Sequence, residues 1–463
     1  MDIKFGTDGW RGVMARDFTF TNVRRMAQAV SDYLKSQHPR PKGPTAIVGY
    51  DHRFQSENYA AEIARVLEGN GLKVLLSEEP LPTPAISFLT RKTKALGLVV
   101  TASHNPPSYN GIKLKTDGRA APESLTSSVE SFIDRANPAR NGKIRTQSFR
   151  KDYLDHLRSR IDPAPLAARL KSPIAVDYMY GSAAGLMGHL IKKEKLIELH
   201  AHRDPLFGGR PPEPVEANLA ELKKTVLARK AAFGVALDGD ADRVAIIDDK
   251  GRYLSPCQIF PMILEYLISS RKIAGKIVQS VSMGYLAGRI AAAHHLPFEE
   301  LPVGFKYVGE QLASGAAAFG GEESGGYAWK GGLPERDGLL TALLFLEMCV
   351  KTKKTVSQLW GEIEKKYGKS HFTRVDFHIH RAAVNKTAFT TKVQKKLPKK
   401  ICGLPIKNVL TIDGIKVILE GDSWILMRPS GTEPLVRTYA ESDSSKRTQE
   451  LLESAAKWIN AQL

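Results

Sequence analysis

Three stretches of this 463-residue chain follow one plan, and the repetition constrains its fold more than any other feature. Each opens on a short apolar run ending in a turn: AIVGYD (46–51), IAVDYMYG (174–181) and IVQSVSMG (277–284). A small-residue stretch with helical spacing follows: SENYAAEIARVLEGNG, SAAGLMGHLI and YLAGRIAAAHH. A second apolar run comes next (LKVLLSE, LIELHAH, LPFEELP), then a helical run, then a third apolar run (LGLVV, FGVAL, GAAAFG). Each third run stops at a polar loop: TASHNPPSYNG, DGDADR and GEESGG. Strands alternating with helices specify parallel βαβ units. Ligands of such sheets bind beyond the carboxyl ends of the strands. The expected architecture is α/β, with three related mixed α/β domains around a central cleft and the polar loops at equivalent positions.

The last quarter of the chain departs from this plan. KKYGKSH (365–371) reads as a linker. TRVDFHIH and DGIKVILEGDSWILMRPS alternate like half-buried antiparallel strands, and SKRTQELLESAAKWINAQL reads as a closing amphipathic helix. This predicts a smaller C-terminal α+β domain. The expected boundaries are 1–148, 149–250, 251–368 and 369–463, within the two to four domains that the length suggests.

Composition narrows the function classes. Apolar residues make up 42% and charged residues 25%, as in globular proteins. MDIKFGTDGWRGV lacks the apolar segment of a signal peptide. The greasiest run, LLTALLFLEMCV, is interrupted by Glu347 and too short to span a membrane. Cys257, Cys349 and Cys402 form no CxxC pair, so free thiols in a reducing, cytoplasmic compartment are expected. The net charge of +18 is concentrated in clusters such as VKTKKTV (350–356) and QKKLPKK (394–400). These lack the interleaved aromatics of a single-strand binder, and the chain carries no helix-turn-helix, zinc-finger or RRM signature. A solvated basic surface accounts for them, and a nucleic-acid partner is not expected. An anionic substrate remains compatible with the charge.

Four loops carry chemistry. In DGDADR, Asp238, Asp240 and Asp242 recur at every second position between apolar strands. Three carboxylates this close repel one another unless a cation lies between them. Oxygen ligands suit a hard ion, Mg²⁺ or Ca²⁺. Arg243 stands where an EF-hand needs glycine, which leaves Mg²⁺ with phosphate nearby. DADRV (240–244) also matches the short D-x-D-x-[TV] form of haloacid-dehalogenase-type phosphotransferases, with Asp240 as nucleophile. GGEESGG (320–326) offers Glu322 and Ser324 on a glycine-rich turn suited to sugar hydroxyls. RPSGTEPLVR (428–437) brings arginines, hydroxyls and a glycine turn together after an apolar strand, a pattern that fits phosphate. In TASHNPPSYNGIK, Ser103 and His104 suggest a hydrolase pair, but no G-x-S-x-G elbow surrounds them. With Lys113 close by, Ser103 reads better as a phosphate carrier on a loop stiffened by proline.

Taken together, TASHNPPSYNGIK, DGDADR, GGEESGG and RPSGTEPLVR resemble the α-D-phosphohexomutase family, in order and over essentially the whole chain. The family includes phosphoglucomutases, phosphomannomutases and phosphoglucosamine mutases. The resemblance implies an isomerase that interconverts hexose 1-phosphate and hexose 6-phosphate through phospho-Ser103 and a bisphosphate intermediate. It implies Mg²⁺ held by Asp238, Asp240, Asp242 and a phosphoserine oxygen at Ser103, and a hexose 1,6-bisphosphate activator. Arg11 in GTDGWRG, His104 and Lys113 would surround the transferring group. Arg243 would follow the metal loop, and Gly304 and Lys306 in PVGFKYVGE would contact the sugar. Glu322 and Ser324 would read ring hydroxyls. Arg428, Ser430, Gly431, Thr432 and Arg437 would hold the phosphate that is not reacting. Many relatives carry histidine where this chain has Gly326, and some carry it at Phe305, so no acid–base role transfers to those positions. Lys113, Lys306 or Arg11 would then have to serve. GEESGG with LPERDG (333–338) leans toward glucose over glucosamine phosphates, and the expected hexose is glucose and/or mannose, with phosphoglucosamine mutase as the alternative. The expected partner is a phosphorylated hexose, with no membrane, and the chain is a monomer or homodimer. A basic nucleic-acid-binding protein on a mutase scaffold is the reading of another class, and the intact acidic triplet and Ser103 weigh against it.

Overall fold

The structure is a computed structural model and describes residues 3–6, 8–37, 45–138, 142–379, 385–430 and 434–462. It divides into two compact units. The first comprises Met1–Ser255, Gly304–Gly315 and Ser324–Ser357, and the second Pro256–Val303, Ala316–Glu323 and Gln358–Leu463.

The first unit holds two of the repeated regions. In the first region the strands run Trp10–Val13, Tyr109–Thr116, Leu96–Val100, Ala46–Tyr50, Val74–Ser77, Thr146–Gln147 across the sheet. Ala46–Tyr50 lies parallel between Leu96–Val100 and Val74–Ser77. Both Ala46–Tyr50 and Leu96–Val100 are buried along their whole length, which explains why they read as unbroken apolar runs. Helix Ser56–Gly69 covers the sheet with Tyr59, Ala60, Ile63, Ala64 and Leu67, spaced to form one face. Each fully buried Leu or Ile in such a face stabilises the fold by about 1.5–3 kcal/mol.

The same order recurs in the other two regions: third strand, first strand, second strand. In the second region Gly234–Leu237, Ile174–Asp177 and Leu196–Leu199 are parallel neighbours. In the second unit Ala317–Glu322, Lys276–Ser280 and Phe298–Leu301 repeat the pattern. In the first unit each third strand turns through its polar loop into an antiparallel partner. Leu96–Val100 pairs with Tyr109–Thr116, and Gly234–Leu237 with Val244–Ile247. GEESGG likewise follows Ala317–Glu322 as a turn before Gly326–Trp329.

The C-terminal region is an antiparallel sheet in the order His371–His378, Leu435–Ser442, Trp424–Pro429, Ile415–Leu419, Leu404–Leu410, Lys400–Ile401. Helix Ser445–Gln462 packs Leu451, Leu452 and Ala455 against Val417, Ile425 and Met427. Glu441 accepts hydrogen bonds from the Trp424 indole (2.7 Å), the Tyr285 amide (2.7 Å) and the Ser370 hydroxyl.

Two local expectations are corrected. SAAGLMGHLI forms only a short 3₁₀ turn at Leu186–His189, because Gly181, Gly185 and Gly188 weaken a helix there. KKYGKSH is not all linker, since helix Val356–Tyr367 runs into it. LLTALLFLEMCV forms helix Gly338–Thr352, capped by the Asp337 carboxylate on the Leu340 amide. Among the described residues, no helix is long and apolar enough to cross a membrane. The three cysteines are free.

Candidate active site

In the first unit, the loops after Leu96–Val100 and Gly234–Leu237 meet. Ser103 sits on a left-handed turn (φ 55°), and its hydroxyl donates to Asp238 Oδ2 at 2.7 Å. Its amide donates to Thr101 Oγ1, which in turn donates to Asp51. The contact between the loops depends on Gly239, where a Cβ would lie 2.5 Å from the Ser103 carbonyl oxygen.

The serine loop is shaped by a side chain from another strand end. The Arg53 guanidinium, fully buried, donates to the carbonyl oxygens of Ser103 (2.6 Å), Asn105 (2.7 Å), Pro106 (2.8 Å) and Tyr109 (3.0 Å). It pairs with Asp51 at 3.2 Å and lies over the Phe207 ring. The two prolines therefore share the stiffening of this loop with Arg53.

Asp238, Asp240 and Asp242 are all buried, with ligand oxygens within 4.8 Å of one another. Asp238 Oδ1 accepts from the Arg243 amide at 3.1 Å. Thr83 donates to Asp240 Oδ2. Lys113 Nζ lies 2.8 Å from Asp240 Oδ2, Asp242 Oδ2 and Asp8 Oδ2 alike. Asp240 Oδ1 and Asp242 Oδ1 are buried and accept no hydrogen bond among the described residues. A buried carboxylate oxygen without a donor is costly, and a hard divalent cation answers that need with the ligand type it prefers. The site therefore fits Mg²⁺. Burial, then Asp240 and Asp242, push the Asp238 carboxyl well above its usual range.

The other expected residues are placed as follows. Burial, followed by Arg243 and Arg11, holds His104 well below the usual imidazole value, so it is neutral. Its Nδ1 stands 3.4 Å from Ser103 Oγ, whose closer partner is Asp238, so the pair is not a serine–histidine base. Burial alone would lower Lys113, yet Asp240, Asp242 and Asp8 raise it above its ordinary value. Its ammonium is held among these three acids. Arg11 donates to the Asn105 side chain at 2.6 Å, and Arg243 lies 4.0 Å from Asp242. Gly304 has φ 136° and precedes helix Phe305–Ala313, in which Lys306 reaches exposed Glu123 at 2.6 Å. Ser324 is half-buried in the turn of GEESGG.

In the second unit, Glu322 is buried at the end of its strand. Arg428 and Arg437 are directly opposite each other on paired strands. Like charges so placed are destabilising unless an anion lies near them. Asp413 takes Arg428 Nε at 2.7 Å and also Lys386. Ser430 is buried, and Gly431 and Thr432 lie outside the described residues.

Sequence reasoning missed Asp8, Arg53, Thr83 and Arg336. Asp8 and Arg336 stand in GTDGWRG and LPERDG, stretches that attracted notice for other reasons, and Arg53 follows the first strand of its repeat. The place of Arg53 just past a strand end was the available signal, whereas Thr83 opens helix Thr83–Thr93 and Arg336 precedes helix Gly338–Thr352.

A buried hydroxyl beside a trio of buried carboxylates is compatible with an intramolecular phosphotransferase. The comparisons with known proteins agree. Residues 2–140 match the model of phosphoglucomutase/phosphomannomutase alpha/beta/alpha domain I, 151–251 domain II, 255–367 domain III, and 381–457 the C-terminal domain. A phosphoglucomutase/phosphomannomutase of Thermococcus kodakarensis is 32% identical over 99% of both chains. A Methanosphaera stadtmanae relative described as a phosphoglucosamine mutase is 31% identical, over 98% of this chain and 97% of its own. A solved structure from Thermus thermophilus, described as a phosphomannomutase, superposes with a TM-score of 0.87 at 32% identity over 99% of both chains. The chain belongs to the phosphoglucomutase/phosphomannomutase family, within the phosphohexomutases, which are isomerases. The haloacid-dehalogenase reading of DADRV falls with that match.

Proposed function

We propose that this chain interconverts the 1- and 6-phosphates of a hexose, glucose or mannose, through phospho-Ser103. The observation that carries the reading is the Ser103 hydroxyl, 1% exposed and 2.7 Å from a three-carboxylate loop with unpartnered oxygens. Asp238, Asp240 and Asp242 would hold Mg²⁺ together with a phosphoserine oxygen. The ion would supply charge stabilisation to the phosphoryl group in transfer.

In the forward half-reaction the P–O bond to Ser103 Oγ breaks and one to the sugar's free hydroxyl forms. The hydroxyl proton is lost and Ser103 Oγ regains one. The second half-reaction returns the sugar's other phosphate to Ser103, so the net change is isomerisation. Lys113, kept cationic by its acids, opposes the negative charge on the reacting phosphate. Arg11, on strand Trp10–Val13 and tied to Asn105, would add a second cation beside the serine loop. Glu322 and Ser324 would read ring hydroxyls. Arg428, Ser430, Gly431, Thr432 and Arg437 would hold the distal phosphate, a reading supported by the facing arginines. Arg243, Gly304 and Lys306 would line the path of the sugar. Relatives of both kinds at similar identity keep glucosamine phosphate as the second reading.

The test is a coupled assay with glucose, mannose and glucosamine 1-phosphates, supplied with Mg²⁺ and glucose 1,6-bisphosphate. Isomerisation of the glucose or mannose compound with the highest kcat/KM supports the proposal, and preference for glucosamine 1-phosphate supports the second reading. Full activity in Ser103→Ala would remove Ser103 as the carrier.

A further inference from the structure

We propose that Arg336, whose stem occupies the space opened by Gly326, is a positioning residue that aims Asp242 at the metal. The proposal rests on the metal-dependent reading above and adds a residue that reading does not use.

Gly326 leaves room that another part of the chain fills. A Cβ on Gly326 would lie 2.0 Å from Arg336 Cδ and 2.5 Å from its Cγ, so even alanine is incompatible with the present path of Arg336. Through that space the guanidinium reaches the acidic loop. Arg336 Nη2 stands 2.6 Å from Asp242 Oδ2 and 2.6 Å from Asp8 Oδ2. The guanidinium lies 5.3 Å over the Phe305 ring. Glycine at 326 and a large flat side chain at 305 thus accommodate one arginine.

Its backbone is docked on the same loop. The Gly338 amide donates to the Ala241 carbonyl at 3.0 Å. Asp337 between them is held by the Leu340 amide (2.9 Å) and the Tyr153 hydroxyl (3.0 Å). Arg336 therefore approaches Asp242 from a fixed base, and its side chain is 5% exposed.

The consequence lies in how Asp242 is divided. Oδ2 is gripped by two cations, Lys113 at 2.8 Å and Arg336 at 2.6 Å. Oδ1 is buried and accepts no hydrogen bond among the described residues, with Arg243 Nε 4.0 Å away. A carboxylate held at one oxygen from two directions cannot rotate freely, so the other oxygen keeps one orientation. Asp8 bridges the same pair of cations, and Lys115 joins it at 3.4 Å and Glu335 at 2.7 Å. Removing Arg336 would leave Asp242 Oδ2 on Lys113 alone. Partners that orient metal ligands in this way are worth about 10–100-fold in metal affinity.

The experiment measures Mg²⁺ affinity of the full chain by titration calorimetry, with thermal unfolding alongside. Arg336→Gln should weaken Mg²⁺ binding by about tenfold or more, and Arg336→Lys, which keeps the charge, should restore part of it. Gly326→Ala, which touches no metal ligand, should reproduce the loss by displacing Arg336. The double variant should bind Mg²⁺ no more weakly than Arg336→Gln alone. Wild-type affinity in Arg336→Gln or in Gly326→Ala, with only thermal stability lowered, would overturn the proposal, as would losses that multiply in the double variant. If Arg336→Gln does not fold, Gly326→Ala and Arg336→Lys decide the matter by the same readout. Wild-type protein that neither binds Mg²⁺ nor isomerises sugar phosphates would overturn the functional reading first, whereas an active wild type with unmoved variants refutes only the role of Arg336.

Discussion

Gly239→Ala tests the contact between the serine and acidic loops. The added Cβ would stand 2.5 Å from the Ser103 carbonyl oxygen and 3.1 Å from Pro212 Cγ. Ordinary contact begins near 3.4 Å, so the loops must part by roughly 0.9 Å. Neither side yields freely. The Ser103 carbonyl is held by Arg53 at 2.6 Å, and the Gly239 carbonyl accepts from the Ser182 amide at 2.9 Å. Gly239 is not in the left-handed region, so the backbone itself tolerates alanine and the effect is steric. A separation of that size along the contact takes the Ser103 Oγ to Asp238 Oδ2 distance from 2.7 Å to roughly 3.6 Å. Misplacing a reacting group by about 1 Å costs on the order of 100-fold in rate, while overpacking costs about 1–3 kcal/mol of stability. The coupled isomerisation assay at saturating Mg²⁺ and bisphosphate should show kcat/KM reduced about 100-fold, with urea denaturation confirming a folded protein. Activity within about threefold of wild type would refute the claim that this approach sets the geometry of Ser103.

Two further predictions concern stability. Burial pulls His52 and His156 down to about 4, His156 while stacked on Phe88. Their contribution is fully present above the unfolded value of 6.5 and is lost as pH falls toward about 4. His156→Leu should therefore shrink the difference in Tm between about pH 7 and about pH 4.5, and an unchanged difference would count against it. In the second unit, Glu441→Ala leaves the Trp424, Tyr285 and Ser370 donors without their acceptor and should cost about 3 kcal/mol in urea unfolding. A loss below about 1 kcal/mol would show that these groups find other partners.

The acidic triplet could be read from sequence because like charges between buried strands demand a counter-ion wherever the chain goes. The repeated order of strands was legible because a parallel strand buried on both faces leaves an unbroken apolar run, as in Leu96–Val100. What the sequence hid are side chains whose partners lie far along the chain. Thr83 and Asp240 are 157 positions apart, and Arg336 and Asp8 are 328 apart. A lone arginine in HRF or PERDG carries no spacing that names its target. Lys113 shows the same effect of distance, since its three acids come from two separate stretches.

The Arg53 clamp has a consequence for the temperature dependence of turnover. A loop whose carbonyls are tied to a buried guanidinium is ordered when the chain folds, not each time substrate arrives. Its configurational entropy is thus already absent from the ground state, and the serine loop should add little to the activation entropy of transfer.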